Sequence, residues 1–159
     1  MSEGPAMDAL GVGAHSGAVV RREPSGEPPR PHHTEVRVRY AETDAQGVVY
    51  HANYLVYFDV ARSAFTRSRG LSYRQMEESG WYLVVVEASL RFKAPARYDD
   101  RLVVGTRVAK MRGKLLGFDY EIRQADSGLL LVTGETLHIC LGADKRPREL
   151  PAQVVEAFA

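Results

Sequence analysis

The feature that most limits how this chain can fold is one long helical period followed by runs of strand character. Tyr54, Phe58, Ala61 and Phe65 recur at i, i+4, i+7 and i+11, which puts them on one face of a helix predicted over Asn53 to Arg69. Gly70 supplies a left-handed terminator, and Arg67 and Arg69 face the negative end of the helix dipole. At the standard rise such a helix is about 25 Å long, enough to cross a small domain. Behind it come four runs rich in Val, Leu, Ile and aromatic residues: Tyr82 to Lys93, Arg101 to Met111, Leu115 to Gln124 and Leu129 to Leu141. Pro95 with Asp99 and Asp100, then Gly113, then Asp126, Ser127 and Gly128 separate them, and such short links favour antiparallel pairing. Ahead of the helix, Val36, Val38 and Tyr40 alternate with Glu35, Arg37 and Arg39, the period of a half-buried first strand starting at Thr34. Ser72 and Gln75 have capping-box spacing for a short second helix ending at Gly80, and Pro151 can open a last one. The expected architecture is α+β, a long helix on one face of a curled antiparallel sheet of about five strands.

Residues 1–33 stand apart. They carry five of the eight prolines and many glycines, and they read as a flexible tail in front of a single domain spanning 34–159. The adjacent His32 and His33 read as solvated tail residues. With 21 basic against 20 acidic side chains, charge selects no partner and offers no basic stripe for nucleic acid. The single cysteine, Cys140, excludes an intrachain disulfide framework and suits a cytoplasmic setting, and no apolar run has membrane-spanning length.

The stretch YAETDAQGVVYHANY, Tyr40 to Tyr54, carries the chemistry. Asp44, Gln46 and Gly47 are turn formers, and read alone Asp44 bonds local backbone. The adjoining helix start adds a second reading. Amides near His51, Ala52 and Asn53 lack intrahelical partners and sit at the positive dipole end, where they can hold an oxyanion. A carboxylate folded back by the Gly47 turn would face the same point, the pair of features that acyl transfer needs. Asn53 also reads as a helix cap, Tyr40 as a core residue of its strand, and Asp59 with Arg62 as a helix-supporting i, i+3 pair. A metal held by Asp44 and His51 would lack a third ligand at recognisable spacing, so no metal or other cofactor is expected.

Y-x-E-T-D-A-x-G-V-V-Y-H-x-N-Y, followed by Asp59, Ala61 and Arg62 and later by ARYDD at Ala96 to Asp100, resembles the signature of small hotdog-fold acyl-CoA thioesterases. The resemblance is to the 4-hydroxybenzoyl-CoA thioesterase family, in particular its bacterial short-chain acyl-CoA branch associated with the Tol-Pal system. It covers about Thr34 to Pro151. The resemblance implies hydrolysis of an acyl thioester to an acid and free coenzyme A, with Asp44 as general base or nucleophile. The helix-start amide that polarises the carbonyl falls on His51, whose side chain orients substrate, tunes Asp44 or satisfies backbone. Tyr40, Val49, Tyr50 and Asn53 are the implied substrate contacts. Coenzyme A phosphates would meet some of Arg91, Lys93, Arg112, Lys114, Lys145, Arg146 and Arg148. A homodimer or homotetramer with pockets between subunits is expected. Two other functions fit the same fold: an acyl-thioester dehydratase or hydratase, and a non-catalytic acyl-CoA binding protein.

Overall fold

Alternation along the strands decides which face of the sheet meets the helix. The computed structural model describes residues 29–159, so the expected tail lies outside the described residues as far as residue 28. The elements run β1 (His32–Arg37), a 3₁₀ turn (Tyr40–Glu42), α1 (Asn53–Ser68), α2 (Tyr73–Glu78), β2 (Tyr82–Phe92), β3 (Arg101–Arg112), β4 (Leu115–Gln124), β5 (Leu130–Leu141) and α3 (Ala152–Phe158). The strands form one five-stranded sheet in the order β1-β3-β4-β5-β2, with every neighbouring pair antiparallel. Cross-strand partners put Leu102 and Val104 of β3, Phe118, Tyr120 and Ile122 of β4, and Val132 and Thr136 of β5 on one face, where all are buried. The opposite face carries the row Arg107, Asp119, Glu135 and Ser89. The fold is therefore the expected α+β arrangement, a helix on one side of the sheet and polar residues on the other.

Helix α1 lays Tyr54, Tyr57, Phe58, Ala61 and Phe65 into that apolar face. Its tightest approach is at Gly134, where Phe58 crosses β5. A Cβ at this glycine would lie 2.5 Å from the Phe58 ring and from the Ser89 carbonyl oxygen, so only glycine fits. Phe58 also stacks on Tyr120 with ring centroids 4.2 Å apart. The helix stops as expected, one residue early. Arg69 is its C-cap and Gly70 takes φ +78°. Ser72 accepts the Gln75 N–H at 3.2 Å to open α2. Phe158 of α3 meets the edges of Phe65 and Phe118 and closes one end of the core.

Two expectations need correction here, and a third holds with an added partner. Strand β1 begins at His32, so His32 and His33 are strand residues rather than tail, and His32 stacks on Phe65 at 5.5 Å. The strand ends at Arg37, and Tyr40 is not on a buried strand face. It opens the 3₁₀ turn and is 78% exposed, in edge contact with Tyr98. The chain leaves the sheet there because Glu42 folds back to accept the N–H of Arg39 at 2.8 Å. Asp59 and Arg62 do pair, but Arg62 is buried and its guanidinium also donates to Nε2 of His138. That leaves the ring proton on Nδ1, facing the Leu116 carbonyl at 3.2 Å. Burial, helped by the Arg62 charge, drops the His138 pKa to about 4.

Candidate active site

The segment 43–49 is a small hairpin. Thr43 and Val49 form its bridge; Asp44 donates its N–H to Val48 O at 2.9 Å and its carbonyl accepts the Gly47 N–H at 2.9 Å. Gly47 has φ +75°, which a residue with a Cβ adopts only at a cost. Asp44 Oδ1 accepts the Gln46 N–H at 2.8 Å, the local turn bond anticipated from the sequence. Oδ2 accepts no hydrogen bond among the described residues, so half of a partly exposed carboxylate is left open at the turn.

The second limb of the hairpin runs straight into α1. Asn53 donates its N–H to Tyr50 O at 2.9 Å, so this amide is not available, contrary to expectation. Among the described residues the N–H groups of His51 and Ala52 donate to nothing. Helix N-termini leave such donors at the positive end of the dipole. Nor is Asn53 the cap. Ala52 holds that position, and the Asn53 side chain donates instead to the Glu42 carbonyl at 2.8 Å. The His51 side chain is exposed and tilts against the Tyr50 ring at 4.4 Å.

Glu42, only 7% exposed, holds these pieces together, and sequence reasoning passed over it. Its carboxylate accepts the Tyr57 hydroxyl at 2.7 Å, the Arg39 N–H at 2.8 Å and Arg39 Nε at 2.9 Å. Burial raises its pKa, but the Arg39 backbone, the Tyr57 hydroxyl and the Arg39 side chain outweigh that and leave it below the usual carboxylate value. The Tyr57 hydroxyl, buried and facing this charge, is pushed well above the usual tyrosine range. For Glu42 the visible signals were its i, i+3 spacing from Arg39 and its place as the glutamate of the Y-x-E-T-D stretch, to which no role was given.

A third segment, the ARYDD loop, braces the hairpin. Ala96 accepts the Val49 N–H at 2.8 Å and donates to the Tyr54 hydroxyl at 3.1 Å. Arg97 reaches the Gly47 carbonyl at 3.4 Å, and Asp99 takes φ +67°. Of the expected substrate contacts, Tyr40 and Tyr50 are exposed, Val49 is buried in the core, and Asn53 is partly buried with its amide nitrogen occupied. Of the basic residues, Arg91 and Lys93 lie at the hairpin's end of the sheet. Arg112, Lys114, Lys145, Arg146 and Arg148 lie at the other end, beside the start of β2 and the end of β5.

Two surface cavities lie elsewhere. Both are on the polar outer face of the sheet, the larger about 200 Å³ and lined by Glu87, Lys110, Asp119 and Glu135. The smaller is lined by Arg107, Asp119 and Glu121, and Arg107 already pairs with each of the two carboxylates at 3.7 Å. The chemistry favours the hairpin, where an open carboxylate oxygen and unused helix-start amides occur on adjoining limbs.

Residues 38–158 match the family model described as the thioesterase-like superfamily. The acyl-CoA thioester hydrolase YbgC of Escherichia coli O6:H1 is 38% identical over 124 residues, 77% of this chain and 92% of that protein. Two solved structures are similar. A 1,4-dihydroxy-2-naphthoyl-CoA thioesterase from Synechocystis has TM-score 0.75 and 32% identity, covering 79% of this chain and 93% of its own. A DHNA-CoA thioesterase from Staphylococcus aureus has TM-score 0.76 and 35% identity, covering 79% and 87%. With its helix wrapped by the five-stranded sheet and the family match running through hairpin, helix and sheet alike, this chain belongs to the thioesterase-like superfamily of hotdog proteins.

Proposed function

We propose that Asp44 and the backbone amide of His51 cleave acyl-CoA thioesters, releasing a carboxylic acid and free coenzyme A. The observation that carries this reading is the pairing of the open Asp44 Oδ2 with unused helix-start amides on the adjoining limb of one hairpin. The thioester carbonyl oxygen would accept the His51 N–H, which stabilises the negative charge that develops on it. As general base, Asp44 takes a proton from water while the water oxygen bonds to the carbonyl carbon. The C–S bond then breaks and the thiolate leaves with its electron pair, later taking up a proton. As nucleophile, Asp44 would itself bond to that carbon, the C–S bond would break with the thiolate leaving, and water would then open the mixed anhydride to the acid and the free Asp44 carboxylate. One turnover in ¹⁸O-water separates the routes, since only the second can place label in Asp44. Membership of the thioesterase-like superfamily supports hydrolysis over hydration or mere binding.

Tyr40 and Tyr50, both exposed beside the hairpin, are proposed to line the acyl site, with Asn53 contributing its side-chain oxygen, which accepts no hydrogen bond among the described residues. A single chain leaves this site open, and a second copy would close it. Strand β2 is a sheet edge with Val84, Val85 and Phe92 exposed, and such an edge is normally covered. Two β2 strands pairing antiparallel about a two-fold axis would extend the sheet and set the α1 helices side by side. That reversal would place the Tyr82 end of one copy beside the Phe92 end of the other. Arg112, Lys114 and Arg146, which have no acidic partner among the described residues, would then serve the partner's coenzyme A phosphates, with Arg91 and Lys93 acting within their own copy. Action in the cytoplasm, where acyl-CoA is made and used, is part of the same proposal; no helix among the described residues is long and apolar enough to cross a membrane. The test is thiol release over a panel of acyl-CoA esters from short aliphatic to fused-ring aromatic acyl groups. Turnover of at least one is expected, and turnover of none would contradict the proposal.

A further inference from the structure

Glu42 is two residues from Asp44, and it bonds both the limb that follows the hairpin turn and the helix beyond it. Its side chain and its carbonyl work in different directions. The carbonyl accepts the Tyr50 N–H at 2.9 Å and the Asn53 side-chain amide at 2.8 Å, tying the limb that carries Asp44 to the limb that carries His51. The carboxylate accepts the hydroxyl of Tyr57, which is buried on α1 one turn beyond Asn53, and the backbone and side chain of Arg39 before the 3₁₀ turn. One buried residue therefore fixes the segment leaving β1 at Arg39, the Asp44 hairpin and the first turns of α1 relative to one another.

We propose that Glu42 is a positioning residue: its carboxylate holds the Asp44 turn in register with the His51 amide, and so sets the rate of the chemical step without touching substrate. This rests on the function proposed above. Its carboxylate accepts through both oxygens, Oε2 from the Tyr57 hydroxyl and the Arg39 N–H and Oε1 from Arg39 Nε, whereas a neutral amide of the same shape would turn an NH2 donor toward one of these donor groups. A misplacement of about 1 Å between reacting groups can cost on the order of 10²-fold in rate, which is why a group remote from the bond being broken can govern turnover. Binding of coenzyme A, by contrast, depends on surfaces that Glu42 does not reach.

The test compares Glu42→Gln, Tyr57→Phe, Asp44→Asn and the double variant Glu42→Gln/Asp44→Asn, each checked for a wild-type circular dichroism spectrum, by kcat and KM on one acyl-CoA. Glu42→Gln should lower kcat roughly 10- to 100-fold while KM stays within about threefold, the signature of lost transition-state geometry rather than lost binding. Tyr57→Phe, which removes one donor and leaves the Arg39 contacts, should lose less in the same direction, and it stands in if Glu42→Gln does not fold. In the Asp44→Asn background the Glu42 substitution should cost nothing further, because residues acting through one group are not additive. A folded Glu42→Gln enzyme with wild-type kcat beside an inactive Asp44→Asn would overturn this inference alone, as would an undiminished Glu42 effect in the double variant. An active Asp44→Asn enzyme would overturn the underlying reading, and the positioning role with it.

Discussion

Asp44 was legible as a residue because its signals are local: a turn former three positions before Gly47 and a helix start close behind. Glu42 and His138 were not, since their meaning comes from partners far along the chain. Glu42 bonds Tyr57 on the helix, and His138 meets Arg62 across the core. Tyr40 was misread for the same reason, as its alternation with Arg37 and Arg39 continues past the point where Glu42 turns the chain out of the sheet. His138 has a measurable consequence. Held neutral by burial and Arg62, it titrates near 4 in the folded protein against a usual 6.5, so between those values the unfolded chain binds more protons. Stability contributed by this group is complete above about pH 6.5 and is lost as pH falls toward 4. Between pH 7 and pH 5 the loss should be about 2 kcal/mol. Urea unfolding at the two pH values measures it, and His138→Gln should flatten the difference. An unchanged difference in that variant would show that other groups cause it.

Elements were read almost to the residue where periodicity is strong, since alternation and the helical repeat are properties of contiguous sequence. Strands β3 and β4 and helix α2 fall where turn residues and the capping box put them. The sheet order was not legible, because β1 pairing with β3, and β2 with β5, depend on which apolar faces meet α1. Gly134 shows how that contact is made. In sequence it is one small residue inside a strand, whereas in the fold it is the slot that receives Phe58. Gly134→Ala should destabilise the protein by roughly 1–3 kcal/mol, the usual cost of overpacking a core. Thermal unfolding would register it as a lowered midpoint. A variant of unchanged stability would mean that α1 can lift from β5 at little cost, and that the helix is not seated as described.

At the scale of the whole molecule, two expectations concern what lies beyond one described chain. Activity should fall on dilution below the dimer dissociation constant, and light scattering coupled to size-exclusion chromatography should find the active species at twice 17.7 kDa or more. A fully active single chain would remove the proposed intersubunit pocket. The N-terminal tail is proposed to be dispensable, but the boundary needs care. A cut at Thr34 would remove His32 and its stacking on Phe65, so a chain beginning at residue 29 is the fair test, and it should keep wild-type turnover. Loss of activity there, with folding intact, would give the tail a part in the site. All of this depends on the hairpin carboxylate. The most direct measurement is thiol release by Asp44→Asn on the best substrate of the acyl-CoA panel, beside wild type and with folding verified. The substitution keeps the size of the side chain and its acceptor for the Gln46 N–H while removing the charge, so kcat should fall by roughly 10²- to 10⁴-fold. Turnover within a few fold of wild type would contradict the assignment of Asp44.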